Sequence, residues 1–140
     1  MSLNTVMNIA GSGLVAETKR MATSTSNMSN ANVVSSTAED TYRAQYPIFE
    51  SVKEGANKWM NSKVEAGVEV TGVYESDADP ILRYDPNNPL ADDAGYVYVP
   101  NVSYVEEMAN MISASRAYQM DLEMISTAKQ LIQRTLSLGE

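Results

Sequence analysis

Carboxylates are the side chains of this 140-residue chain best placed to do chemistry, and two pairs of adjacent like acids stand out, Asp92-Asp93 and Glu106-Glu107. Two acids can serve as general acid and general base when their surroundings push their proton affinities apart. Here the first pair sits in a turn beside Gly95, and the second opens a helix, where negative charge favours the positive end of the dipole. Solvated turn and capping roles account for both. The acidic, Asn-rich run from Asp77 to Asp93 offers calcium-type oxygen ligands, yet Pro80, Pro86 and Pro89 spoil the spacing of an EF-hand loop. Gly11-Ser12-Gly13 follows no strand and so makes no phosphate cradle. The chain has neither His nor Cys, which removes imidazole and thiolate ligands, a thiol nucleophile and disulfides. No enzyme activity, cofactor or metal is expected.

Arg116 is a different kind of candidate. It stands among Ala114, Ala117 and Tyr118 on an otherwise apolar helical stretch. Its guanidinium either pairs with a carboxylate of a neighbouring subunit, or the stem lies over the apolar stripe and the head is solvated.

The elements that carry these residues are read from periodicity. From Asn101 to Leu138 there is no Gly or Pro, and Tyr104, Met108, Met111, Ser115, Tyr118, Leu122, Ile125, Lys129, Ile132 and Leu136 alternate spacings of four and three. That is the seam of a long helix packing along another helix. Pro100 closes the preceding segment, Ser103 and Glu106 have capping-box spacing, and Gly139 stands where a left-handed cap would end the helix. Met120, Met124, Ala128 and Leu131 form a further apolar row beside the seam, so one helical partner is not enough. The first thirty residues carry a weaker stripe, Leu3, Met7, Ala10, Leu14, Glu17, Met21, Ser24 and Met28, in which Gly11 and Gly13 each cost about 1 kcal/mol relative to Ala. This helix needs tertiary or quaternary support.

Between the helices the period changes. The stretch from Asn27 to Asp40 reads as a frayed helix end and an extended linker. Pro47-Ile48-Phe49 reads as a short strand or extended arm. Val68 to Tyr74, Ile81 to Tyr84 and Tyr96 to Val99 read as strands separated by Asp/Pro/Asn/Gly turns, a small antiparallel β element. A net charge of −8 with scattered basic residues argues against nucleic acid and anionic membrane surfaces. No apolar run approaches the ~20 residues of a membrane span, and the N-terminus has no signal-peptide pattern.

The run from Asn101 to Gln119, NVSYVEEMANMISASRAYQ, resembles the C-terminal signature of bacterial flagellar rod and hook proteins. Ser26-Asn27-Met28-Ser29-Asn30-Ala31-Asn32 resembles the same family's S-N-x-x-N-A-N signature after a first helix. Asn8 to Leu14, Asn88 to Asp92, Gly95-Tyr96-Val97 and Pro100-Asn101-Val102 resemble, more narrowly, its short proximal-rod subunits. The resemblance spans essentially the whole chain and is least distinctive over 50–84. Met120-Asp121 departs from the family's small-then-Asn, and Met28-Ser29 from its Leu-Ala, with the helix and most of its apolar face kept.

The fold expected is mainly α with a small β insert, long N- and C-terminal helices pairing as a coiled-coil-like unit. Residues 1–32 would supply the N-terminal helix, 33–100 the linker and β-rich middle, and 101–140 the C-terminal helix. The resemblance implies a structural subunit polymerising into a hollow periplasmic rod. It implies homo-oligomeric contacts, contacts with other rod proteins, and export by the flagellar type III apparatus without a cleaved signal peptide. A helical subunit of another type III apparatus is the alternative, and the β-rich stretch from Gly67 to Val99 discriminates against it. The expected assembly interface comprises Met7, Leu14, Met21, Met28 and Asn32 in the first helix region, with Met108, Met111, Ile112, Arg116, Tyr118, Leu122, Ile125 and Ile132 in the last helix.

Overall fold

The computed structural model describes residues 3–52 and 67–137, and the expected Gly139 cap lies outside them. Helix α1 spans Leu3–Asn30 and helix α2 spans Tyr104–Ser137. Between them come β1 (Gln45–Val52), β2 (Gly67–Glu75), β3 (Ile81–Tyr84) and β4 (Tyr96–Val99). The strands pair as two separate antiparallel ribbons, β1 with β2 and β3 with β4. Two long terminal helices with strand pairs between them is the architecture expected from periodicity.

The start of α2 follows the capping rule. Glu106 N–H donates to Ser103 Oγ at 3.4 Å and Glu107 N–H to Ser103 O at 3.0 Å, so the helix begins just after Ser103. Helix α1 is not frayed at its end. Thr18, Thr23, Thr25 and Ser29 turn their hydroxyls back onto carbonyls three or four residues earlier, which adds nothing to helix stability, so tertiary contacts are what hold this Ser/Thr-rich stretch helical. Asn27, expected at a loosening end, is fully buried.

The helices pack antiparallel, since Asn27 meets Glu107 near one end and Gly13 meets Asp121 near the other. The seam of α2 is rotated from the one expected. Met111, Tyr118, Ile125 and Ile132 are half-buried, but the second row is Glu107, Ala114, Asp121 and Ala128, while Met108, Leu122 and Leu136 are exposed. The rotation is about 50°, half the angle between consecutive residues. Small side chains explain it, because Ala114 and Ala128 let the helix axes approach in a way that Met108 or Leu122 would prevent. Ala128 thus belongs to the seam and not to the outer row with Met120, Met124 and Leu131. Apart from Pro100, the buried apolar residues described are Ala or Val: Ala10, Ala16, Ala31, Ala44, Ala114, Ala128, Val97 and Val99.

The β1–β2 ribbon lies along α1. Gln45 bonds Asn27 near one end of the ribbon, and Val68 N–H donates to Ser12 Oγ at 3.0 Å near the other. Fifteen helical residues rise about 22 Å, close to the length of an eight-residue strand. The register shifts between Ile48 and Phe49, and β1 runs well beyond the short arm expected around Pro47. In the second ribbon β4 is bridged on its outer side by Ser35, whose N–H donates to Tyr98 O at 2.9 Å and whose carbonyl accepts from Tyr98 N–H at 3.0 Å.

The turn before β4 rests on Gly95, with φ of 85°. Asp92 Oδ1 accepts from Ala94 N–H and Tyr96 N–H, and a Cβ on Gly95 would stand 3.0 Å from the Tyr84 ring. Gly95→Ala should therefore lower stability by about 1–3 kcal/mol, the cost of a left-handed non-glycine residue with crowding. Urea denaturation checks this, and a change below about 0.3 kcal/mol would mean that the turn relaxes freely.

Candidate assembly surface

The site begins with a buried polar junction. Asn27 Nδ2 donates to Gln45 O at 2.9 Å and to Glu107 Oε1 at 3.1 Å, while its Oδ1 accepts from Gln45 N–H at 2.9 Å and from the Tyr42 hydroxyl at 2.8 Å. Ser26 Oγ supports Tyr42 at 3.1 Å. One side chain thereby ties together α1, the segment leading into β1, and the first turn of α2. The adjacent acids are not equivalent: Glu106 is exposed, whereas Glu107 is 2% exposed. The solvated role expected for both fails for Glu107, because the small-residue seam turns that position inward. Among the described residues its Oε2 is buried without a hydrogen-bond partner. The phenol of Tyr46 is held above its ordinary range, first by burial, then by the negative charges of Glu107 and Glu106 and its approach to the Glu107 carboxylate.

With its ends fixed, the chain leaves much apolar surface open. On α2, Tyr104, Val105, Met108, Ile112, Met120, Leu122, Met124 and Leu131 are exposed. Exposed apolar side chains on more than one side of a helix mark a protein-binding surface. On α1, Leu14, Val15, Thr18, Lys19 and Ala22 with Tyr118 line an open groove of about 390 Å³. The β1–β2 ribbon adds Ile48, Phe49, Val52, Val68, Val73 and Tyr74, all exposed.

The residues expected at the interface divide into two sets. Met7, Leu14, Met21, Met28, Met111, Tyr118, Ile125 and Ile132 are half-buried, while Met108, Ile112, Leu122, Asn32 and Arg116 are exposed. Arg116 makes no ion pair among the described residues. Asn27, Glu107 and the Gly13–Asp121 contact were not singled out by periodicity, since a polar residue on a seam counts against the stripe. The signal available was the heptad row through Glu107 and Ala114. No group of His, Cys, Asp or Glu suited to a metal occurs among the described residues, and no described helix is long and apolar enough to cross a membrane.

A long antiparallel helix pair carrying β ribbons, closed by a polar junction and apolar outside, defines a subunit made for packing. The family described as "Flagellar basal body rod FlgEFG protein C-terminal" matches residues 93–138. Relatives that match along essentially the whole chain carry the name flagellar basal-body rod protein FlgC. That of Salmonella typhimurium is 41% identical over 140 residues, covering all of both chains, and that of Yersinia enterocolitica is 40% identical over the same span. That of Aquifex aeolicus is 34% identical over 135 residues, 96% of each chain. The chain belongs to the FlgC family of flagellar basal-body rod proteins.

The Tyr46 phenol gives a pH prediction. Its affinity for the proton is higher folded than unfolded, so its contribution is complete below the unfolded value of about 10 and is lost as pH rises through the higher folded value. Stability measured by denaturant from pH 9 to 12 should fall less steeply for Tyr46→Phe than for the wild type. Equal slopes would mean that folding does not raise the phenol's affinity for its proton.

Proposed function

We propose that this chain is a structural subunit of the flagellar basal-body rod, polymerising with copies of itself and other rod proteins through its terminal helices. The subunits enclose a channel, transmit torque along the rod axis and let exported proteins pass. The chain reaches the periplasm through the flagellar type III export apparatus without a cleaved signal peptide. The observation that carries this reading is the mismatch between a core of Ala and Val and an α2 surface lined with Met, Leu, Ile and Val. An isolated domain would place those large side chains inside. A subunit places them against its neighbours.

In this reading α1 and α2 pair within one subunit along the Ala-rich seam, and Met108, Ile112, Leu122, Met120, Met124 and Leu131 pack across subunit boundaries. No catalytic step is assigned. Helical subunits of other type III machines are disfavoured by full-length relatedness to FlgC proteins.

Leu122→Asp tests the division of labour between the two surfaces. Its side chain is exposed within the subunit, so stability of the isolated protein should change by less than about 0.5 kcal/mol. In the assembled rod the carboxylate would be buried without a partner, costing several kcal/mol, and rod assembly and motility should be lost. Normal motility of this variant would place Leu122 outside any packed interface.

Arg116 is assigned to an acidic or carbonyl partner across a subunit boundary, supported by its exposure and by the signature in which it stands. A planar fork can grip a carboxylate with two parallel hydrogen bonds, which an ammonium cannot. Arg116→Lys should reduce assembly measurably. If Lys supports motility at the wild-type level, the guanidinium is merely solvated.

A further inference from the structure

The apolar rows that pair α1 with α2 repeat every seven residues. Met7, Leu14, Met21 and Met28 form one, and Met111, Tyr118, Ile125 and Ile132 the other. Sliding one helix by a heptad would keep apolar side chains against apolar side chains, and the buried Ala10, Ala114 and Ala128 offer no shape that only one alignment satisfies. Hydrophobic packing alone therefore leaves the register weakly specified.

Two contacts in the seam do not repeat. Asn27 donates to Glu107 in a site closed to water, and a seven-residue slip in either direction would leave that buried amide hydrogen without a carboxylate to meet it. At Gly13 a methyl group would fall 2.5 Å from Asp121 Oδ2 and 3.1 Å from its Cγ, so the Asp121 carboxylate lies directly over the glycine and would have to swing aside for any larger residue. Gly13 and Asn27 stand two heptads apart on α1, and Glu107 and Asp121 stand two heptads apart on α2. Both contacts are satisfied in the same register and both are broken by either one-heptad slip.

We propose that Asn27–Glu107 and Gly13–Asp121 are a pair of register pins that select one alignment of the terminal helices. Buried polar residues are best attested in this role, where they discriminate between alternatives that hydrophobic burial cannot tell apart. Since Asn27 also holds Gln45 and Tyr42, the pin that sets the helix register also sets where the β1–β2 ribbon starts along α1. Rod assembly is not required for the pins to act, so their test is separate from that of the rod reading.

The absence of cysteine allows a direct measurement. Thr25 Oγ1 lies 3.8 Å from Met111 Sδ, so Thr25→Cys with Met111→Cys reports the observed register by disulfide formation in the full chain. Thr25→Cys with Tyr118→Cys, or with Tyr104→Cys, reports the two slipped registers, whose partners lie about 10 Å too far along the axis at present. In the otherwise wild-type chain the Met111 pair should oxidise at least about tenfold faster than either slipped pair, the ratio expected from leaving a buried polar group unpaired. Glu107→Leu combined with Gly13→Ala should reduce that preference to about threefold or less at unchanged helix content by circular dichroism. Glu107→Gln, which keeps an oxygen facing Asn27, should preserve the preference. Equal oxidation of native and slipped pairs without the pin substitutions would overturn the proposal, as would an unchanged preference in the doubly substituted chain. Loss of helix content in step with the preference would also overturn it, showing that these residues hold the fold and not its alignment.

Discussion

The amide of Asn27 has no access to water, and this governs much of the architecture around it. An unpaired buried amide costs roughly 1–3 kcal/mol per lost partner, so both hydrogens and both lone-pair directions have to be met by protein. They are met by Gln45 twice, by Tyr42 and by Glu107, which belong to two segments outside α1. The demand of one short side chain thereby brings together the end of α1, the entry to β1 and the start of α2. Glu107 in turn is drawn inside next to an acid that remains in water.

A seam of small side chains has two effects that follow from one another. It allows close packing, as the Gly13–Asp121 approach shows, and it leaves the larger Met111, Tyr118, Ile125 and Ile132 beside it only half-buried. An alanine buries little area, and at about 25 cal/mol per Å² of apolar surface such a seam contributes far less than one built of Leu. The large residues are turned outward. Weak internal cohesion and a sticky exterior are thus a single design choice, and they suit a protein whose stability is completed by neighbours.

Most of the fold was legible because long elements have strong periods. The capping of α2 by Ser103, the strands Ile81–Tyr84 and Tyr96–Val99, and the turn at Gly95 all follow from local rules of spacing and backbone freedom. What the pattern missed was rotational. On a helix where Met108, Met111 and Leu122 all look suitable, hydrophobicity cannot say which row touches α1 and which faces out. That choice is steric, and it falls to Ala114 and Ala128, residues that a stripe search treats as filler. The end of α1 was misjudged for a related reason: Ser, Thr and Asn have weak helix propensity alone, and here their side chains are bonded to the helix's own carbonyls or across the junction.

The hydroxyl-rich second half of α1 also bears on how readily the chain can be drawn out straight. Thr18, Thr23, Thr25 and Ser29 carry their own hydrogen-bonding groups alongside the backbone, so a segment pulled into an extended thread exposes little oil and keeps many contacts with water. Extension would lengthen its 28 residues from about 42 Å to about 95 Å. With no disulfide to sever and no apolar side chain larger than Val fully buried among the described residues, the mechanical work of drawing such a chain out straight is small.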